Sequence, residues 1–356
     1  MNIPIYKPSL RGNESRYVNE CLDSTWISSK GDFISRFEMA FSNYTGIQFA
    51  STVCNGTVAL HLAMLALDIK QGDEIIVPTL TYVASVNAIK YVGAEPIFVD
   101  SNRETWQIDV NDVEERITSK TKAIMAVHLY GHPCDMKQLS LIAKRHGLYL
   151  IEDCAEAIGS FIADKHVGTF SDISTFSFFG NKTITTGEGG MVCTNDPVLF
   201  KKIYKFKNQG LHESQEYWHD VIGYNYRMTN LSAAIGLAQM ERIGEILAKK
   251  REIFFQYVNR LAGKVLFHNE LNGFTHSYWM CSVLMESKAQ RNQIRAVLKE
   301  NGIETRPLFP LVHLMPMYSS CTETFQNAEY LSDRGLNLPS YPDLSESQVD
   351  KICSFF

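Results

Sequence analysis

The chain has 356 residues, too many for one small core, and its 45% hydrophobic and 21% charged residues are those of an ordinary globular protein. A formal net charge of −5 with no basic tract argues against a nucleic-acid partner, and an anionic ligand would need a local pocket of its own. No apolar run approaches the roughly 20 residues of a membrane span, MNIPIYKPSL lacks the layout of a signal peptide, and eight cysteines without a CxxC pair read as reduced, packed thiols of a cytoplasmic protein with no membrane partner.

In chain order, FASTV runs as a strand into Asn55-Gly56-Thr57 and then into a helix, Thr57 to Leu67, that is apolar nearly all round and so buried on both sides. The Val- and Ile-rich runs Glu74–Val77, Pro96–Val99, Ala123–Val127 and Leu148–Ile151 read as buried parallel strands. Tyr82 opens a helix after Pro78. Asp135 caps another, with Met136, Leu139, Ile142 and Ala143 on its apolar face and Gly147 closing it. Strand and helix alternating in this way give an α/β sheet covered on both faces. From Asp172 the strings DISTFSF and GGMVCT read as two more strands around a glycine-rich turn. After Thr229 comes a helical region with Leu231, Ala234, Ile235 and Ala238 on one face. It leads out of a large domain, residues 1–245, into a smaller C-terminal one, 246–356. The latter holds a strand-like HSYWMCSVLM (276–285) and a helix after Lys288.

Three places could carry chemistry. Lys182 follows the aromatic strand TFSFF and precedes a turn with Gly187, Gly189 and Gly190; partial desolvation there favours the neutral, nucleophilic amine. An ordinary surface lysine after a strand fits the local pattern as well. GNKT mimics the end of a P-loop, but the glycine positions hold Asn181 and Phe176, so that reading fails. Asp153, in IEDCAE, sits at the carboxyl end of a strand, where open α/β sheets bind ligands. A carboxylate there faces either a structural cation or a cationic ligand group such as a pyridinium nitrogen. Asn55-Gly56-Thr57 offers a helix N-terminus suited to a phosphate, or only a plain cap; Ser177 could add a hydroxyl. Tyr82 is placed either to stack on an aromatic cofactor or to pack in the core. His128 and His132 are four apart, but Pro133 prevents a helix from aligning them, so no metal site is expected. The GxSxG and GxGxxG strings are absent, which disfavours a serine hydrolase and a Rossmann oxidoreductase.

From Ile3 to about Pro342 the chain resembles the DegT-type nucleotide-sugar aminotransferases, fold-type-I enzymes that use pyridoxal 5'-phosphate (PLP). The strings that carry the likeness are CNGTVALHLAM, DEIIVPTLTYVAS, AVHLYGHPCDM, LIEDCAEAIGS, STFSFFGNKTITTGEGGMV, GYNYRMTNLSAAIGLAQ and IETRPLFP, in that order. The resemblance implies a mixed, mostly parallel sheet between helices plus a smaller C-terminal α/β domain. It implies that Lys182 bonds covalently to PLP and moves the proton between cofactor and substrate carbons. By the same likeness Asp153 pairs with the pyridinium nitrogen, Glu156 lies near the phenolic oxygen, and Tyr82 stacks on the ring. Gly56, Thr57 and Ser177 would hold the phosphate, with Asn225 supplied by a neighbouring subunit, so that a homodimer or higher oligomer shares its sites. Trp26, Ser28, Ser29, Arg227 and His313 are implied substrate contacts. Glu156 departs from the family pattern, in which many members carry glutamine. Related dehydratases replace the lysine with histidine; Lys182 therefore points to amino transfer. WISSKG, FFGNKTITTGEGGMV and HLMPMY point further, to members that take L-glutamate as donor and aminate C4 of a GDP-linked keto-sugar. A dTDP- or UDP-linked sugar, or a PLP-binding regulator without turnover, remains as an alternative.

Overall fold

The computed structural model describes residues 2–356. In chain order the larger part runs α1 (Glu14–Ser24), α2 (Asp32–Thr45), β1 (Phe49–Val53), α3 (Gly56–Ala66), β2 (Glu74–Pro78), α4 (Val83–Tyr91), β3 (Glu95–Val99), α5 (Val110–Glu115) and β4 (Thr121–Val127). It continues with α6 (Met136–His146), β5 (Tyr149–Asp153), the short β6 (Phe161–Ile162) and β7 (Lys165–His166), β8 (Ile173–Ser177), β9 (Gly190–Thr194), α7 (Pro197–Lys207) and α8 (Asn230–Met240). Seven of these strands form one sheet in the order β1-β9-β8-β5-β4-β2-β3. Neighbours from β8 to β3 are parallel, and β9 runs against both β8 and β1. The carboxyl ends of β1, β5 and β8 therefore open on one edge, which is the edge where a doubly covered sheet leaves room for a ligand.

Local chemistry explains the elements. Asp135 accepts from the Gln138 amide at the start of α6, and Gly147 ends it at φ +64°. Thr229 caps α8 through the Ser232 amide, and Ser287 caps the later helix α10 (Lys288–Glu300) through Gln290. β8 shows the strand alternation at work: Phe176 and Phe178 pack with Phe41 and Phe37 of α2 at centroid distances of 4.8 to 5.7 Å, whereas Ser177 opposes Gly56. Removing a ring buried as fully as Phe41 costs about 3–5 kcal/mol, so this layer fixes β8, and with it the segment that carries Lys182.

Two readings of the sequence need correction. HSYWMCSVLM is not one strand: only Cys281–Leu284 is. The chain turns at Tyr278, whose φ is +50°, because Tyr278 stacks on Phe254 at 3.9 Å while Trp279 heads toward Lys182. The face of α8 is also rotated: Ala233 and Leu237 are buried with Ala234 and Ala238, and Leu231 and Ile235 are only half-buried. Gly236 sets that rotation, since a Cβ there would come 2.6 Å from the Phe37 ring.

The smaller part comprises α9 (Ile243–Leu261), β10 (Leu266–Phe267), β11 (Phe274–Thr275), β12 (Cys281–Leu284), α10, β13 (Arg306–Pro307), α11 (Gln326–Arg334), β14 (Gly335–Leu338) and α12 (Glu346–Cys353). Its sheet has the order β10-β12-β14-β13, while β11 crosses over to pair with β6. α9 straddles the expected boundary at 245: Ile243 and Ile246 belong to the core beneath the large sheet, and Ile253, Phe254, Tyr257 and Leu261 to the small core. Ile3, grouped by the sequence with the large domain, pairs with Ile303 and sits in the small core.

Three buried histidines, His132, His268 and His276, meet where the two parts join, with ring centroids 4.9 to 5.5 Å apart. Burial lowers all three, His132 to about 4. The folded state thus holds neutral imidazoles that the unfolded chain protonates below about pH 6.5. Their contribution is present above that pH and is lost as pH falls from about 6.5 toward 4. His132→Phe should accordingly flatten the fall of Tm between pH 7.5 and 5, measured by thermal melts at both values.

Candidate active site

One cavity of about 580 Å³ lies at the carboxyl edge of the sheet, within the usual size for a small-molecule site. Gly56, Thr57, Tyr82, Asp153, Glu156, Ser177 and Lys182 all line it. Asp153 is the last residue of β5, two residues beyond the end expected from sequence, and is 4% exposed. Its Oδ2 accepts from Ser85 Oγ at 2.7 Å and its Oδ1 from the Ala155 amide at 3.1 Å. Among the described residues no lysine, arginine or histidine is paired with it. A buried carboxylate that faces a cavity without a protein cation is suited to a cationic ligand group.

On the opposite wall Asn55 caps α3 by accepting from Val58 at 2.9 Å. As the first two residues of the helix, Gly56 and Thr57 have amides that cannot bond within it. A Cβ at Gly56 would come 2.8 Å from Ser177 Cβ, so glycine lets the helix N-terminus and the Ser177 hydroxyl converge on one point. That pair, helix dipole and hydroxyl, is a cradle for a phosphate. Tyr82, just before α4, is 56% exposed and leans toward Phe309 at 5.5 Å, leaving its ring available to a flat ligand.

Lys182 is the amine of this cavity, and its side chain is 12% exposed. Its Nζ lies 3.6 Å from Glu156 Oε1 and 4.1 Å from the centroid of the Trp279 ring. Glu156 is buried; its Oε2 accepts from the Tyr130 amide at 2.8 Å. Burial raises the carboxyl to about 7, with Lys182 pulling it down and Asp153 adding to the rise. Glu156→Gln removes a group that changes charge near neutrality. The inflection near pH 7 in the pH–rate profile should therefore vanish in that variant, as a turnover profile from pH 6 to 9 would show. Lys250 is a useful contrast. Burial lowers its amine to about 7, but its Nζ donates to the Ser340 carbonyl at 2.9 Å and it does not line the cavity. A perturbed lysine without access to a ligand is a structural one.

The remaining expected residues lie elsewhere in the protomer. Asn225 accepts from Arg227 at 2.9 Å, and neither lines the cavity. Trp26 lines a second cavity of about 440 Å³, and its carbonyl and that of Ser28 accept from Asn230; Ser29 is half-buried in the same loop. His313 is buried beneath the wall, bonded to Thr79 Oγ1 at 2.6 Å and packed against Phe325. His128 and His132 point to different places, His132 to the junction cluster and His128 to Glu152 and Cys154. The second group is a hydrogen-bonded lock: Glu152 accepts from His128, Gly168 and Phe170, and the Cys134 amide donates to His128 Nδ1. Ser85, Trp279 and Phe309 line the cavity and the Tyr130 amide holds Glu156. The sequence reading gave none of them a role, although they lie in DEIIVPTLTYVAS, HSYWMCSVLM, IETRPLFP and AVHLYGHPCDM, strings it had singled out.

A sheet edge with a lysine, an unpaired buried carboxylate and a phosphate cradle defines a group-transfer site built for a phosphorylated, cationic ring, and PLP fits it. The chain belongs to the DegT/DnrJ/EryC1/StrS aminotransferase family, which it matches over residues 8–356. It is 60% identical over 351 residues to a GDP-perosamine synthase of Escherichia coli O157:H7, covering 99% of this chain and 96% of that one. A GDP-perosamine synthase of Vibrio cholerae is 52% identical, with 99% and 97% covered. Among solved structures, the putative sugar aminotransferase Spr1654 of Streptococcus pneumoniae in its PMP form superposes with a TM-score of 0.95 at 28% identity, covering 100% of this chain and 97% of that one. DesV of S. venezuelae, in complex with a ketimine intermediate, gives 0.93 at 30% identity, with 99% and 97% covered. No helix of the described residues is long and apolar enough to cross a membrane.

Proposed function

We propose that this chain is a PLP-dependent aminotransferase that moves an amino group from L-glutamate to C4 of GDP-4-keto-6-deoxy-D-mannose, giving GDP-perosamine for a polysaccharide such as an O-antigen. The observation that carries the reading is the convergence of Lys182, unpaired Asp153 and the α3 N-terminus on one cavity. The choice of sugar is supported by the names of the full-length relatives at 60% and 52% identity.

Bound in this cavity, PLP supplies an electron sink that lets a proton leave the carbon bearing the transferred nitrogen. Asp153 would keep the ring nitrogen protonated. Gly56, Thr57 and Ser177 would anchor the phosphate, and Tyr82 would cover a ring face. Lys182 would hold the cofactor covalently, and its amine, when free, would carry the proton at the donor carbon and at the sugar carbon, so that one base would serve both halves of the reaction. Glu156, near the phenolic oxygen, keeps a proton in that corner below about pH 7. Asn225, Arg227, Trp26, Ser28 and Ser29 act in a neighbouring protomer's site, so the working unit is at least a homodimer. His313 supports the wall from behind.

Incubating the protein with PLP, glutamate and each of the GDP-, dTDP- and UDP-linked keto-sugars tests this. A GDP-linked amino sugar and 2-oxoglutarate are expected. Amination of a dTDP- or UDP-linked sugar alone would overturn the substrate assignment, and no product from any of them the enzymatic one.

A further inference from the structure

The segment that carries Lys182 is gripped from outside the large sheet. Trp279 Nε1 donates to the Asn181 carbonyl at 2.7 Å, and the Tyr6 hydroxyl donates to the Lys182 carbonyl at 2.6 Å. The same indole ring lies 4.1 Å from Lys182 Nζ, with Glu156 Oε1 3.6 Å from that nitrogen. Trp279 is 4% exposed and cannot swing away. Its ring is nearly parallel to Tyr130 (9°, 6.1 Å), which stacks in turn on Phe309 (22°, 5.3 Å). Tyr130 sits at φ +57°, a left-handed backbone that L residues rarely adopt. It is held there by its amide bond to Glu156 and by its hydroxyl, which accepts from the Phe309 amide at 2.9 Å. Trp279 and Glu156 are thus two faces of one stiff unit, tied together through Tyr130.

A lysine side chain has four rotatable bonds, and a base that must reach two different carbons loses effectiveness when it wanders. The negative face of an indole attracts an ammonium and leaves it free to slide, whereas a carboxylate alone would pin it. We propose that Trp279 is a positioning residue for Lys182: its N–H fixes the lysine-bearing turn at Asn181, and its ring face seats the amine whenever that amine is not bonded to the cofactor. This rests on Lys182 being the lysine that bonds PLP.

Cofactor-free protein is mixed with PLP, and the bond to Lys182 is followed by absorbance and fixed with borohydride for peptide mass measurement. Turnover is measured in parallel with glutamate and with glutamate deuterated at its α-carbon. Trp279→Leu should slow bond formation about tenfold and raise the isotope effect, with KM for glutamate changing less than about threefold, as expected from losing one charge–ring contact in a buried site. Trp279→Phe, which keeps a ring face but loses the N–H held by the Asn181 carbonyl, should fall between Trp279→Leu and the wild type. Bond formation at the wild-type rate in Trp279→Leu, or a Trp279→Phe variant as slow as Trp279→Leu, overturns the proposal. A wild-type protein that never bonds PLP at Lys182 overturns the underlying reading instead.

Discussion

Lys182→Ala should lower turnover by at least about 10⁴-fold, because in the proposed mechanism one side chain is both the covalent anchor and the acid–base of the transfer. The losses do not add as independent terms, since removing the anchor also removes the proton carrier. No neighbour can replace it. Glu156 comes nearest, at 3.6 Å, but it points a carboxyl rather than an amine into the cavity. Lys250 and Lys207 are buried at other sites, bonded to the carbonyls of Ser340 and Thr52. The variant should still bind PLP, because the α3 N-terminus and Ser177 are untouched. Fold is not at stake: the backbone of Lys182 is held by Tyr6 and Phe179, not by its own side chain. The check is single-turnover kinetics with glutamate, alongside PLP retention after gel filtration.

Asp153→Asn should lower turnover by about 10²- to 10³-fold, the range seen when one preorganised electrostatic partner is lost. An amide of nearly the same shape can accept from the Ala155 amide with its oxygen and donate its NH2 to Ser85 Oγ, so packing survives. It can no longer hold a proton on a ring nitrogen, and the cofactor loses its pull on the donor carbon. The two substitutions therefore differ in signature. Asp153→Asn should retain the covalent bond to Lys182 and fail in the proton transfer, whereas Lys182→Ala fails in both. Comparing kcat and borohydride-fixed cofactor for the two variants separates them.

Much of this site is legible one element at a time. A short apolar run ending in Asp153 reads as a strand with a carboxylate at its mouth, and Asn55-Gly56-Thr57 reads as a helix start, because both signals are local. Asp135 and Gly147 bound α6 for the same reason. Position in the sheet is not local: nothing in TFSFF or GGMVCT tells that β9 inserts between β1 and β8 and so brings Ser177 over Gly56. Trp279 was hidden because HSYWMCSVLM has the composition of a strand, and only the stacking of Tyr278 on Phe254 bends it there. Tyr130 was hidden because its role depends on a left-handed backbone that no residue type advertises. Asn225, Arg227 and Trp26 lie off the cavity in a single protomer, and it is the family likeness, not any local signal, that assigns Asn225 to a neighbour's site.

The most direct measurement treats the purified protein with borohydride before and after adding glutamate, then weighs its peptides. The account predicts one PLP-sized addition before glutamate, on the peptide that carries Lys182, and its disappearance once glutamate has displaced the lysine. An addition on Lys207 or Lys250, an addition that glutamate leaves in place, or none at all would contradict it.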